Sequence, residues 1–563
     1  MKRRLPERTA GDDREIAAAT RLPHPHRLAT VGVVVAAVVY YAIFIWKTSF
    51  VIGPTRYFSL FEDAMVSMRY ARHLASGHGL TWNVGEPPIE GITNPLWTIV
   101  MAAVHLTPLP PHQISLAVQL IGVVILVALL FVVREACERI LASRAGACPP
   151  SSAGRDAAPR SLSVVAMILV AFYYPLIYWT VLGMEVGLLA WLTAFAAAIL
   201  LAGRSGPWFY ALLAGGTFVR MDYAVVVVAF VGLAAILDRP RAIRHLQLGI
   251  GGLVVALVIQ TVARWLYFHD PLPNTYYLKL TGYPPGLRVV RGAWVLLQTL
   301  AQSYGLLGLL PIAGLLLARH SERRLLFTLL APFAILCLYS IWVGGDAWEG
   351  IVACNRYLAV GVPLVLVVAA WPISALAARV RLGRFELPCA VALALAAALA
   401  ISPYRATVFL DPPAYVRDNA HLTAIGLAAR ELTRDGASVA AAAVGAVGYY
   451  SERKIVDLLG KSDRHVARRL MRRAGEQNPM TFFLPGHLKW DYAYSIGVLR
   501  PDVIGQLWWS PREAERHLQD YEDVAVVIGR DTLALLVRRD SPLIKSPEPE
   551  AFAPDPTTPR HQR

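Results

Sequence analysis

The chain has 563 residues, of which 56% are hydrophobic and only 17% charged, and its mean hydropathy is +0.47. Soluble domains carry about 25% charged residues, so the composition excludes an ordinary soluble protein and indicates a polytopic α-helical membrane protein with a polar part attached. The net charge of +15 lies largely in short loops between apolar runs, where it sets orientation; no aromatic-basic stripe argues for a nucleic-acid partner.

The first apolar run, at about 28–47, follows a polar, basic N-terminal segment and ends in Trp46-Lys47 without a small-residue cleavage site. A retained first helix is expected rather than a removed signal peptide. Almost at once the chain reads Tyr57-Phe-Ser-Leu-Phe-Glu-Asp-Ala-Met-Val-Ser-Met-Arg-Tyr-Ala-Arg72, with Glu62 and Asp63 side by side. Acids near hydrocarbon are costly unless they bind something or do chemistry; the plainer alternative is that they flank a helix N-terminus, which acids suit.

Further apolar runs lie at about 113–134, 161–180, 185–203, 207–220, 222–237, 246–267, 296–318, 325–343, 357–378 and 385–403, most near the roughly 20 residues a bilayer needs. With eleven spans and the N-terminus cytoplasmic, the basic residues of 1–27, 139–160, 204, 239–244, 319–324 and 379–384 all fall inside, as the positive-inside rule asks. This count treats 94–105 as an interfacial helix on the outer surface. It also treats 207–220 and 222–237 as two short helices meeting at Arg220-Met-Asp222. The polar loops 48–112, 268–295 and 344–356, and the tail after about 404, are then extracytoplasmic.

The tail reads differently. Short apolar runs at 437–447, 455–459, 524–528 and 532–537, with a helical pattern over 463–473, predict a small α/β domain over 404–543. The last residues, 544–563, are rich in Pro and charge and read as disordered. The five cysteines, Cys137, Cys148, Cys337, Cys354 and Cys389, form no CxxC pair and read as neutral residues, not a disulfide or zinc framework.

Beside Glu62 and Asp63, the outer loops and span ends carry Leu182-Gly-Met-Glu185, Arg220 with Asp222, and Asp270-Pro-Leu-Pro-Asn-Thr-Tyr-Tyr-Leu-Lys279. They also carry Gly344-Gly-Asp346 and Asn355-Arg-Tyr357. Each singly is more often a cap or a snorkelling charge. Together they put mixed charges at one face of the membrane, which suits a phosphorylated lipid: cations for phosphate, an acid for proton transfer. No Walker loop, GxSxG or HExxH motif offers a competing chemistry.

These motifs carry a resemblance. Phe61-Glu-Asp-Ala-Met-Val-Ser-Met-Arg-Tyr-Ala-Arg72, Gly77-His-Gly-Leu-Thr-Trp-Asn-Val-Gly85 and Glu90-Gly-Ile-Thr-Asn-Pro-Leu-Trp97 resemble the first outer loop of GT-C class membrane glycosyltransferases. The likeness is greatest to the branch of the terminal arabinofuranosyltransferases of actinobacterial cell walls. Gly183-Met-Glu185, Pro271-Leu-Pro-Asn-Thr-Tyr-Tyr277, Val343-Gly-Gly-Asp346 and Pro485-Gly-His-Leu-Lys-Trp-Asp491 fit the same pattern.

The resemblance implies a polyprenyl-phosphate sugar donor, with arabinofuranose one candidate sugar, and a glycan or glycolipid acceptor of the cell envelope. It places both outside the cytoplasmic membrane and implies inversion at the anomeric carbon. It makes Asp63 the general base, with Glu62 sharing substrate or metal contacts. The donor phosphate falls to Arg356, Lys279 and Arg220, and substrate contacts to Glu185, Asp222, Asn274, Tyr276, Asp346 and His487. The resemblance fixes no cofactor, and a divalent cation at the acid pair stays open. The family often has two Asp where this chain has Glu62-Asp63, and Arg-Pro-Asp where it has Arg220-Met-Asp222. Two other classes remain: a flippase for a lipid-linked sugar, and a non-catalytic glycan-assembly partner.

Overall fold

The computed structural model describes residues 24–58, 60–145, 161–301, 308–317, 320–347, 355–379, 385–400, 414–472 and 483–545. The chain opens with a long helix, α1 (His24–Thr48), then a small hairpin of β1 (Phe50–Ile52) and β2 (Thr55–Tyr57). Two helices of the first outer loop follow, α2 (Glu62–Ala75) and α3 (Pro95–His105). Next come α4 (Pro111–Ala145), α5 (Leu162–Ala171), α6 (Tyr174–Val181), α7 (Val186–Leu201), α8 (Pro207–Val219), α9 (Ala224–Leu237) and α10 (Ala242–Phe268). After these lie α11 (Asn274–Leu280), α12 (Pro285–Thr299), α13 (Leu309–Leu317), α14 (His320–Val343), α15 (Arg356–Ala359), α16 (Val362–Arg379) and α17 (Glu386–Ala400).

Among the described residues, five helices are long and apolar enough to cross a membrane: α1, α4, α10, α14 and α16. The pair α5–α6 passes as a sixth although bent by 54°. That bend corrects the single run expected over 161–180. The expected run over 296–318 is also recast, because α12 begins at Pro285, where the ring pre-sets the dihedral of a first helical residue. The expected break at Arg220 is present. Arg220 is extended (φ −158°, ψ 125°), and a short 3₁₀ turn over Met221–Tyr223 leads into α9. Cys137, Cys337 and Cys389 are free thiols, while Cys148 and Cys354 lie outside the described residues.

The tail comprises α18 (Ala414–Leu432), β3 (Ser438–Ala441), α19 (Val444–Ser451), β4 (Lys454–Asp457) and α20 (Arg464–Ala467). It closes with β5 (Val503–Ile504), α21 (Pro511–Glu515), β6 (Tyr521–Ile528) and β7 (Asp531–Arg538). The five strands form one mixed sheet in the order β4-β3-β5-β7-β6, parallel across β4-β3-β5 and antiparallel across β5-β7-β6. The run 437–447 divides into β3 and the start of α19. The helix expected over 463–473 is only α20, capped by Asp463, whose Oδ1 accepts from Val466 N at 2.8 Å. Residues 546–563 lie outside the described residues.

The tail is not a separate bead. One continuous apolar core joins Phe61, Met65 and Met68 of the first outer loop with Val447 and Tyr449 of α19 and with the membrane helices. Arg69 of α2 is buried at this junction. It donates to the carbonyls of Trp82 (2.8 Å), Arg453 (2.8 Å) and Gly448, and to Asn83 Oδ1 (3.0 Å). Burial lowers its pKa to about 9, and four oxygens keep it satisfied. Lys489 makes a second tie from the tail, donating to the carbonyls of Tyr277 (2.8 Å) and Ala467 (2.7 Å).

Candidate active site

Glu62 and Asp63 are the first two residues of α2, where carboxylates complement the helix dipole. Neighbouring residues on a helix point about 100° apart, and the two acids are put to different uses. The Glu62 carboxylate accepts from the backbone N–H of Gly445 and of Ala446 (3.0 Å), the free amides at the start of α19. Burial raises its pKa, against the pull of those two amides. A Cβ at Gly445 would come 2.3 Å from the Glu62 carbonyl oxygen, so only glycine allows this approach. Glu62 thus anchors the tail; its carboxylate is turned toward α19 rather than toward a ligand.

Asp63 faces the other way. Its Oδ2 accepts from Arg356 Nη1 at 2.7 Å, and its Oδ1 pairs with Lys461 Nζ. Burial alone would raise Asp63, but Lys461, Arg356 and Lys279 outweigh it and hold the carboxyl well below its usual range. Arg356 is itself held by Asp346, a fully buried residue whose Oδ2 lies 3.2 Å from Arg356 Nε and accepts from the Arg356 backbone N–H. Lys461 sits in a turn after β4. Asp457 builds this turn by accepting from the N–H of Leu459, Gly460 and Ser462. Asn274 clamps it from outside, donating to the carbonyls of Gly460 and Lys461, both at 2.9 Å.

Arg356 also borders a cavity of about 230 Å³. Its walls carry Arg220, Arg264, Asp222, Tyr276 and Lys279, and the apolar Met221, Leu280, Val343 and Pro485. Arg220 is bound to Asp222 (2.8 Å) and to Glu185 (2.8 Å), and Tyr339 donates to Asp222 at 3.0 Å. Lys279 differs: among the described residues its ammonium makes no hydrogen bond or ion pair. Burial first, then repulsion from Arg356 and Lys461, lowers its pKa to about 7. His487, on the loop above, stays neutral: burial lowers its pKa to about 4.

The residues expected at the site therefore divide. Asp63, Arg356 and Lys279 come together. Arg220, Asp222 and Tyr276 line the adjoining cavity. Glu185, expected at substrate, is instead fully buried; its two oxygens are taken by Arg220 and by Asn94 Nδ2 (2.7 Å), so it orients Arg220. Asn274 and Asp346, also expected at substrate, position Lys461 and Arg356. Lys461 was missed, since a lysine in a Gly-Lys-Ser turn looks like any solvated loop cation. Among the described residues no group of three or more His, Cys, Asp or Glu side chains could hold a metal ion.

The free Lys279 gives a pH signature. Lys279 loses its proton above about pH 7, whereas an anion bound beside it would favour the charged form. Affinity for an anionic phosphodiester should fall by up to about tenfold per pH unit above that point. The Lys279→Arg variant should flatten the slope; a wild-type profile already flat from pH 7 to 9 would refute the titration.

Comparisons with known proteins bear on two levels. A family model described as a domain of unknown function (DUF8728) matches residues 414–540, the tail. No curated protein sequence matches the chain. The whole chain is similar in fold to ArnT from Cupriavidus metallidurans. The crystal structure bound to undecaprenyl phosphate superposes with a TM-score of 0.53 at 12% identity, covering 92% of this chain and 99% of that one. The apo crystal structure gives 0.51 at 16% identity, covering 90% and 97%. The chain is accordingly a polytopic helical membrane protein that shares its fold with ArnT over nearly its whole length.

Proposed function

We propose that this protein is an inverting membrane glycosyltransferase that moves a sugar from a polyprenyl-phosphate donor to a cell-envelope glycan or glycolipid. The observation that carries the reading is the junction at Asp63: one carboxylate, gripped by Lys461 and Arg356, beside an unpaired Lys279 and a cavity with both cationic and apolar walls. Such a cavity fits a phosphate with an isoprenoid chain. The shared fold with ArnT, whose structure holds undecaprenyl phosphate, supports the same donor class. Arabinofuranose is one candidate sugar, from the branch that the sequence resembles.

In the proposed reaction the acceptor oxygen attacks the anomeric carbon. The bond from that carbon to the phosphate oxygen breaks, polyprenyl phosphate leaves with the electron pair, and Asp63 takes the acceptor proton. With Lys461, Arg356 and Lys279 around it Asp63 is a poor base, because these cations hold it ionised. A donor phosphate would draw Arg356, Lys279 and Lys461 toward itself and so raise the basicity of Asp63. The test is donor binding and transfer by reconstituted protein. Arg356→Ala should raise donor KM or abolish transfer, and Arg356→Lys should rescue only partly, because arginine binds phosphate through two parallel bonds. Unchanged donor kinetics in both variants would remove Arg356 from the site.

The reading also requires Asp63 and the tail to lie outside the cytoplasmic membrane, with eleven spans and the N-terminus inside. Cysteine at His78 or at Asp435, whose side chain is 98% exposed, should be labelled by an impermeant maleimide in intact cells. Cysteine at Arg241, 68% exposed, should not. The reverse pattern would overturn the orientation.

A further inference from the structure

The tail carries a row of three indoles that the donor chemistry does not use. Trp490 and Trp509 stack at 6.3 Å between ring centroids and 28° between planes, and Trp509 and Trp508 at 5.6 Å and 10°. Two of the three have spent their N–H groups: Trp490 donates to Glu513 Oε2 at 3.2 Å, and Trp509 to the His487 carbonyl. Trp508 has not. It is half-buried, and among the described residues its indole N–H donates to nothing. A tryptophan placed only to fill a core would normally bury its ring and satisfy that N–H.

The row has two ends. At one, the His487 ring lies 5.6 Å from Trp508. Its neighbours in the same loop reach the active site: Gly486 packs against Lys279, where an added Cβ would lie 3.1 Å from Cε, and Pro485 lines the donor cavity. At the other end, Arg472 lies 4.9 Å over the Trp490 ring and pairs with Glu513 at 2.7 Å. There, Arg472, Ser510, Arg512, Glu513 and Arg516 border an open hollow of about 580 Å³. The hollow, the stacked indoles and the loop that reaches Lys279 thus follow one another through Arg472, Trp490, Trp509, Trp508 and His487.

A sugar ring has an apolar face of C–H bonds and a rim of hydroxyls. An indole plane takes the face, while a free N–H and fixed charged groups take the rim. We propose that Trp508 forms an acceptor-glycan subsite beside Asp63, backed by Trp509 and Trp490, with the Arg472–Glu513 hollow receiving further sugar units. This assigns a ligand class to the domain of unknown function, and it rests on the glycosyltransferase reading.

The test uses the full-length protein in lipid nanodiscs and an array of bacterial envelope oligosaccharides, with glycerol and short peptides as controls. At least one oligosaccharide should bind in the absence of donor and change the tryptophan fluorescence. Trp508→Ala should weaken that binding by about tenfold, the scale of one well-placed aromatic contact, and Trp508→Phe by less. Undecaprenyl phosphate should bind wild type and both variants equally, and unchanged melting temperatures would exclude a folding defect. Glycan binding undiminished in Trp508→Ala, no array glycan bound by wild type, or capture of peptides instead would overturn the subsite. Trp508-dependent glycan binding by a protein that neither takes up undecaprenyl phosphate nor transfers sugar would leave the subsite standing and sink the glycosyltransferase reading.

Discussion

Replacing Asp63 with Asn is expected to lower sugar transfer by about 10²–10⁴-fold, the usual contribution of a positioned general base, without weakening donor binding. Asparagine keeps the size, and its one amide oxygen can still accept from Arg356 or from Lys461, but it carries no charge and cannot take the acceptor proton. The pairing of Asp63 with Arg356 and Lys461 makes the prediction sharper than a simple loss of activity. In the proposed reaction Asp63 would compete with the donor phosphate for the same cations, and its neutralisation leaves Arg356, Lys461 and Lys279 with less counter-charge. Donor affinity should hold or increase while kcat collapses. Glu62→Gln should act differently: it weakens the bonds to the amides of Gly445 and Ala446, lowering the melting temperature more than the chemistry. Near-normal transfer by a folded Asp63→Asn protein would send the search for the base to Asp222, the remaining acid on the cavity wall.

The second large effect is expected from Lys461→Met. Methionine keeps the length of the side chain and removes its charge. If Lys461 moves from Asp63 to the donor phosphate during binding, its loss should raise donor KM roughly tenfold or more, the scale of a charge-assisted hydrogen bond. The same change removes a cation from Asp63, so the acidic limb of the kcat profile should shift to higher pH. A purely structural Lys461 would change neither; it would only lower the melting temperature. The double variant Asp63→Asn/Lys461→Met should show non-additive kinetics, as contacting residues do.

Much of this was legible in the chain because membrane insertion writes its rules into local sequence. Apolar runs and flanking charges predicted helices, and the misplacement of Arg239–Arg244 under any merged helix predicted the break at Arg220. The bend at Phe172–Tyr173 was passed over because run length and hydropathy read 161–180 as one span, although Pro175, in the first turn of α6, has no backbone N–H to continue α5. At the site, adjacency of Glu62 and Asp63 suggested a shared role, whereas helix geometry sends one toward α19 and the other toward Arg356. Asn274, Glu185 and Asp346 were recognised as special but assigned to substrate. Their partners are Lys461 and the arginines, and sequence shows a polar residue without showing what faces it. Lys461 itself lies 398 positions from its partner, a separation across which no local pattern can signal.

That separation also orders events during synthesis. The carboxylate enters the membrane system with the first helix, but the amides that seat Glu62 and the cation that grips Asp63 emerge 383 to 398 residues later. Contacts so distant in sequence form late, after the loop-closure entropy has been met. A nascent chain with its first outer loop already delivered therefore holds an unassembled centre. Until the turn around Lys461 is in place, the growing protein lacks both the cation that holds Asp63 and the amides that hold Glu62.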